Sequence, residues 1–341
     1  MKPVIIIAEA GVNHNGSYEL ACQMAVAAKE AGADIVKYQT AVPELVMSNK
    51  APKAEYQKTT TGAEESQLEM AKKIHLPITD YKSLKEYCEN TIGIKFLSTP
   101  FDHPSIEILH EIGMDCFKIP SGEITNKRFL ERIGSFGLEV ILSTGMSELA
   151  EIERAINTLV KSGTLFENIT VLQCTSQYPC PYEDINLRAM QTIKNAFGCK
   201  VGLSDHSVGI EVSVAAVAMG ASLIEKHFTL DKGMTGPDHL ASLSPQELGQ
   251  MVTSIRNIEK AMGDGVKTAR NSEKPNILVG RKSIHAARSL SAGTIISFDD
   301  LIMKRPSNGI SPYDEDIIIG KTLKMDVEAD HQFQFEDFQI D

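Results

Sequence analysis

The chain has 341 residues, 42% apolar and 23% charged, which are the proportions of a globular protein and exclude a disordered one. That length suits one α/β domain of about 250 residues followed by a module of about 60. The net charge of −11 argues against nucleic acid as a general partner, and no run approaches the roughly 20 apolar residues of a membrane helix, so no membrane partner is expected.

The first apolar run, VIIIAE at 4–9, is too short for a secretion signal and runs straight into polar residues. It reads as a strand, and the chain as cytoplasmic. Ser17 is placed to cap a helix over 17–32 that Gly32 ends. A second strand covers 35–40. The stretch 41–77 is longer than an ordinary connection and rich in Lys, Thr and Glu, so it reads as a functional loop with a short helix around 64–73. Six more β-rich runs follow at 94–99, 116–121, 139–144, 169–175, 200–206 and 223–228, with helical periodicity between them, as at 147–162 (Ser147 as its cap) and 208–220. A helix at 245–262 follows the eighth run.

Near-continuous apolar strands alternating with helices imply a parallel sheet covered on its outer face, and eight units in about 260 residues imply a closed (β/α)8 TIM barrel. The competing doubly wound sheet would carry GxGxxG after its first strand, and AEAGVNHNG at 8–16 does not. The barrel is expected over 1–265 and a polar linker over 266–282. A small, mostly β domain is expected over 283–341, with a helix signal near 298–302 and a core small enough to need another surface. The cysteines, Cys22, Cys88, Cys116, Cys174, Cys180 and Cys199, form no CxxC and read as reduced thiols.

The strand ends carry the chemistry, because a barrel gathers its active site at the C-terminal ends of its strands. Those ends are Glu9; Lys37 and Gln39; Ser98 and Thr99; Lys118, Ser121 and Glu123; Ser143 and Thr144; Thr175, Ser176 and Tyr178; Ser204, Asp205 and His206; and Glu225 and His227. Residues two apart share a face, so Lys37 points with Gln39, Ser204 with His206, and Glu225 with His227. His206 and His227 close adjacent strands, about 4.8 Å apart, and can hold one divalent ion, Mn2+ or Mg2+, for Lewis-acid work. The alternative is a hydrogen-bonded histidine pair without metal. Lys37 and Lys118 would face each other across the mouth. With Thr99, Ser121, Ser143 and Ser204 around them they form a cradle for a phosphate or carboxylate, the alternative being a Schiff-base lysine. Glu9 and Glu123 are acid–base candidates. His75, His103, His110, His285 and His331 read as surface or packing residues, and His14 and His239 stay open.

Read together, AEAGVNHNG (8–16), VKYQT (36–40), ESQLEM (65–70), FLSTPFD (96–102), FKIPSGE (117–123), LSTGM (142–146), QCTSQYP (173–179), GLSDH (202–206), EKHFTLD (225–231) and GPDHLASL (236–243) resemble the sialic acid synthase family of nonulosonate synthases. SLSAGTIISFDDLIMKRPSNGISP (289–312) resembles the antifreeze-like (SAF) domain that ends them. The resemblance implies a transferase that condenses phosphoenolpyruvate with an open-chain N-acyl hexosamine, giving a nine-carbon 2-keto acid and phosphate. It further implies metal on His206 and His227, phosphoenolpyruvate on Lys37, Thr99, Lys118, Ser121, Ser143 and Ser204, and Glu123 as the base for water. The sugar would lie against Glu9, Gln39, Tyr178 and Asp238. A domain-swapped homodimer is implied, with Arg305 reaching the partner's site. Ser176 stands where some sialic acid synthases carry asparagine, so the acceptor is expected to differ. The motif forms lean towards legionaminate over neuraminate, with pseudaminate as the alternative within the family, and NGISP points to an unphosphorylated acceptor. A Schiff-base sugar-acid aldolase and a carbohydrate- or ice-binding scaffold are the rival readings.

Overall fold

A computed structural model of the chain describes residues 3–62 and 64–339 and divides it between Gly263 and Asp264 into two compact units. Residues 1, 2, 63, 340 and 341 of the expected domains lie outside the described residues. The first unit holds eight parallel strands: β1 (Ile5–Gly11), β2 (Ile35–Thr40), β3 (Lys95–Pro100), β4 (Cys116–Ile119), β5 (Glu139–Ser143), β6 (Ile169–Cys174), β7 (Lys200–Asp205) and β8 (Leu223–His227). Their hydrogen-bonded order is β3-β2-β1-β8-β7-β6-β5-β4, so the first strand pairs with the last, and β3 packs beside β4 to complete the TIM barrel. Strand β4 is shorter than the sequence suggests. Pro120 has no N–H to offer a ladder, and Ser121–Glu123 tightens into a 3-10 turn.

Alternation along the strands sorts the side chains. Val36, Tyr38, Phe96, Phe117, Val140, Val171, Leu203 and Ile224 are buried on one face, and Ile7, Ile35, Leu97, Ile141, Leu172 and Leu223 on the other, below the polar strand ends. Strand β7 makes room with a glycine: a Cβ on Gly202 would lie 2.3 Å from the Leu223 carbonyl oxygen and 2.7 Å from Leu172 Cδ2. Gly202→Ala is therefore expected to cost about 3 kcal/mol in urea unfolding through overpacking against backbone. An unchanged midpoint would show that β7 and β8 are not this close. On the other face of the same strand pair, buried Lys226 meets Asp205 at 3.0 Å and donates to the Ser207 carbonyl at 2.6 Å, so the ion pair is hydrogen-bonded as burial requires.

Ser17 caps the helix Tyr18–Glu30 by accepting from the Leu20 N–H at 3.2 Å, and Gly32 leaves it at φ +85°. The cap at 147–162 falls one residue later than expected. Glu148 caps the helix Leu149–Ser162, with Glu151 accepting from its N–H at 2.9 Å, while the Ser147 hydroxyl donates to the Gly145 carbonyl. The segment 208–220 yields a shorter helix, Glu211–Ala218, because Gly209 takes φ +78° just before it. The excursion 41–77 contains three helices, Pro43–Val46, Glu55–Thr61 and Gln67–Ile74, where one was expected. Buried Lys53 ties it together, donating to Thr61 Oγ1 at 2.9 Å, the Gly62 carbonyl at 3.0 Å and Glu65 Oε1 at 3.0 Å.

The second unit pairs β9 (Ser283–Ala286) antiparallel with β10 (Leu301–Lys304) over a core that includes Ile284, Leu290, Ile296, Ile310, Leu323, Phe333 and Phe338. The helix expected near 298–302 is one 3-10 turn, Phe298–Asp300, which runs into β10. The Asp300 carboxylate closes it by accepting from the Ser297 N–H and hydroxyl. The stretch read as linker contains a helix, Lys274–Gly280, started by Pro275 in its first turn. Ser307 bonds the Leu278 and Ile277 carbonyls of that helix, which joins it to this unit. All six cysteines are free thiols.

Candidate active site

The polar strand ends converge on a cavity of about 310 Å³ in the barrel unit, the size class of a small-molecule site. Its floor is a buried four-charge cluster. Lys37 Nζ lies 3.0 Å from Glu9 Oε2 and 3.3 Å from Glu225 Oε2, and donates to Thr99 Oγ1 at 2.9 Å. Lys118 Nζ lies 3.5 Å from Glu225 Oε1, which also accepts from the Ser204 hydroxyl at 2.9 Å. Gln39 donates to Glu9 Oε1 at 3.0 Å. The register explains the convergence, because Glu9 sits opposite Lys37 on one side and His227 on the other.

Two carboxylates that share one lysine do not ionise alike. Burial works against Glu225, yet Lys118 and Lys37 outweigh it and hold the carboxyl at about 2. Burial dominates at Glu9, and with Glu225 beside it the carboxyl rises to about 7 in spite of Lys37. Burial also opposes the charge on Lys37, but Glu225 and Glu9 carry it above its usual range. Lys118 has Glu225 alone as a close partner, and burial takes it below. With Glu9 only partly ionised near neutral pH, the two lysines outweigh the carboxylates at the floor. The Ser143 hydroxyl is buried there without a hydrogen-bond partner. An anion satisfies both conditions.

Above the floor, the His206 and His227 rings lie 5.6 Å apart. His206 Nδ1 donates to the Thr175 carbonyl at 2.7 Å, which in the neutral ring leaves Nε2 as the lone pair, 3.4 Å from the Ser204 hydroxyl; burial opposes charge on this ring, but Cys174 beside it carries the imidazole above its usual range. Burial, with His206 nearby, keeps His227 far below the usual imidazole range and therefore neutral, and its buried Nδ1 has no hydrogen-bond partner. Asp238 Oδ2 lies 4.0 Å from that nitrogen, and burial raises its carboxyl to about 6. The Tyr178 ring lies tilted against His206, with ring centroids 4.0 Å apart and 35° between their planes.

The structure brings together Glu9, Lys37, Gln39, Thr99, Lys118, Ser121, Ser143, Ser176, Tyr178, Ser204, His206, His227 and Asp238 around this cavity. It does not bring Glu123 there. That carboxylate accepts from Asn126 Nδ2 at 2.7 Å, because the 3-10 turn after Pro120 directs it to the start of the helix Lys127–Gly134. Arg305 lies exposed in the second unit, just beyond β10. His75, read as a packing residue, lines the cavity, since the excursion folds back over the barrel mouth. His103, His110, His285 and His331 pack or bond locally as expected, and buried His14 and His239 stay outside the lining.

Sequence reasoning missed the part Glu225 plays. Its signal was there: it shares a face with His227, and two converging lysines need a counter-charge. Tyr56, Gln57, Met47 and Gln67, which also line the cavity, carried no periodic signal.

Residues 24–267 match the NeuB family, and residues 281–339 match the SAF domain. The chain is 50% identical to the N,N'-diacetyllegionaminic acid synthase of Campylobacter jejuni, over 97% of this chain and 98% of that one. It is 46% identical to the enzyme of that name from Legionella pneumophila, over 95% and 91%. The crystal structure of N-acetylneuraminic acid synthetase from Leptospira borgpetersenii superposes with a TM-score of 0.70 at 36% identity, covering 81% of this chain and 90% of that one. On this match in sequence and in fold, the chain belongs to the NeuB family and ends in a SAF domain.

Proposed function

We propose that the enzyme condenses phosphoenolpyruvate with an open-chain, unphosphorylated N-acyl hexosamine to give a nine-carbon 2-keto acid and inorganic phosphate. The acceptor we favour is 2,4-diacetamido-2,4,6-trideoxymannose, which yields the diacetyllegionaminate skeleton, with N-acetylmannosamine as the simpler candidate. The observation that carries this reading is the Lys37–Glu225–Lys118 floor lying in one cavity with the His206–His227 pair. The floor holds the phosphate and carboxylate through the two ammonium groups and the hydroxyls of Thr99, Ser121, Ser143 and Ser204. Carbon C3 of the bound enol then attacks the acceptor aldehyde, whose oxygen takes a proton to become the new hydroxyl. A water adds to C2, its proton goes to a carboxylate, and collapse of the tetrahedral centre expels phosphate. Glu9, beside Lys37 at the floor and raised to about 7, is placed to give its proton to the new alkoxide and then, as the carboxylate, to take the proton of the water.

The two imidazoles, each in its neutral form, would also fit a divalent ion, Mn2+ or Mg2+. His206 Nε2 is left as a lone pair, and His227 Nδ1 is buried without a partner. Among the described residues no third His, Cys, Asp or Glu joins them in a cluster, so water and substrate would complete the shell. When bound, the ion supplies Lewis acidity to an aldehyde oxygen.

The enzyme would work in the cytoplasm. No described helix is long and apolar enough to cross a membrane. A homodimer in which Arg305 serves the partner's site accords with the apolar side chains that the small unit exposes, Phe298, Tyr313, Ile317 and Phe335. Arg305→Ala is then expected to raise the acceptor KM about tenfold, with the melting temperature unchanged. Unaltered acceptor kinetics would remove this residue from the site.

The reading as a whole is tested by phosphate release from phosphoenolpyruvate and Mn2+ with each of the two sugars. Release with either supports it, and release with neither sinks it.

A further inference from the structure

The floor and the histidine pair account for the donor substrate and the acceptor's aldehyde end, and leave the wall supplied by the excursion 41–77 without a role. Tyr56 comes from that excursion and packs its ring 5.2 Å from Tyr178, which itself lies over His206. The excursion therefore reaches the cavity beside the histidine pair. The rest of that wall is mostly apolar, with His75 its titratable side chain. Val46, Met47 and Ile74, with Phe101 beside them, are half-buried apolar side chains whose exposed parts face the cavity. Gln57 and Gln67 stand among them as neutral amides, 3.4 Å from each other. Among the described residues lining the cavity, the lysines are Lys37 and Lys118, and both are engaged at the floor. No arginine lines it.

Such a wall has methyl-accepting surface and two neutral hydrogen-bonding amides, and it carries no lysine or arginine of its own among the described residues. Hydroxyl groups pressed on Val46, Met47 or Phe101 would lose water without gaining a partner. Methyl groups there gain burial, and acetamido groups present both a methyl and an amide. Resting on the condensation proposed above, we infer that the excursion selects the acceptor. Val46, Met47, Ile74 and Phe101 receive the C6 methyl and acetamido methyls of a diacetamido-6-deoxyhexose, Gln57 and Gln67 bond its amides, and a hydroxylated mono-acetamido sugar is disfavoured. Lys53, which bonds Thr61, Gly62 and Glu65, holds the excursion in the shape that sets this wall.

The test compares kcat/KM for the 2,4-diacetamido-2,4,6-trideoxy acceptor with that for N-acetylmannosamine, in wild type, Met47→Gln and the nearly isosteric Val46→Thr. Adding polarity at a methyl-binding position should reduce the preference for the diacetamido sugar about tenfold in each variant, the scale of one methyl group in an apolar pocket. The phosphoenolpyruvate KM should stay at its wild-type value, which confirms that the floor is intact. A preference unchanged in both variants, or both acceptors weakened equally, overturns the inference while the parent reading stands. Wild-type enzyme that turns over neither sugar overturns both. Should Met47→Gln fail to fold, Val46→Thr alone decides, because it keeps the shape of the side chain it replaces.

Discussion

Replacing His206 or His227 with alanine is expected to lower kcat/KM by about a thousandfold, the equivalent of roughly 4 kcal/mol of lost transition-state stabilisation. Each ring contributes something the other cannot. His206 is oriented by the Thr175 carbonyl, which occupies Nδ1 and leaves Nε2 as the nitrogen for an ion, and His227 is kept neutral by burial. Removing either leaves one imidazole, which is a poor site for a divalent ion. Mn2+ affinity, read by calorimetry, should fall with activity. Folding should be largely retained, because both rings border the cavity and not the apolar layer beneath it. Metal-dependent turnover retained in both variants would contradict the proposed roles.

Lys118→Met is expected to raise the phosphoenolpyruvate KM about a hundredfold, close to the 3 kcal/mol of a hydrogen bond to a charged group. The two lysines are not equivalent in this respect. Glu225 loses Lys118 but keeps Lys37 at 3.3 Å and Ser204 at 2.9 Å, so the buried carboxylate is not stranded and the barrel should still form. Lys37→Met would strip both Glu9 and Glu225 of their shared partner and confuse binding with folding. The acceptor KM should change little in Lys118→Met, since the acceptor wall belongs to the excursion. A phosphoenolpyruvate KM close to wild type would mean that Lys118 is a structural counter-ion to Glu225 and does not touch the substrate.

The barrel was legible because its signals are local and repeated. Apolar runs such as VIIIAE and IVKYQT alternate with helical periodicity, and the strand-end position of Lys37, Thr99, Ser204 and His206 follows from period-two alternation alone. Most of the site followed from the same rule. Glu123 did not, because it lies past the end of β4, where a 3-10 turn breaks the alternation that had been extended to it. The wall of the excursion was illegible for a related reason. Tyr56, Gln57 and His75 reach the cavity by the way three short helices are tied around Lys53, a tertiary arrangement that no periodicity encodes. The helix starts one residue past Ser147, at the Glu148 cap, and the Glu151 carboxylate makes the bond there in place of the hydroxyl. Membership of the NeuB family leaves no place for the aldolase and scaffold alternatives.

The claim on which the rest depends is that the anion floor and the histidine pair serve one reaction centre. A crystal of the enzyme soaked with phosphoenolpyruvate and Mn2+ tests it most directly. The account predicts an anomalous manganese peak about 2.1 Å from a ring nitrogen of each of His206 and His227. It also predicts phosphoenolpyruvate in the same cavity with its acidic groups on Lys37 and Lys118. Manganese bound away from that histidine pair, or phosphoenolpyruvate bound away from the two lysines, would contradict it.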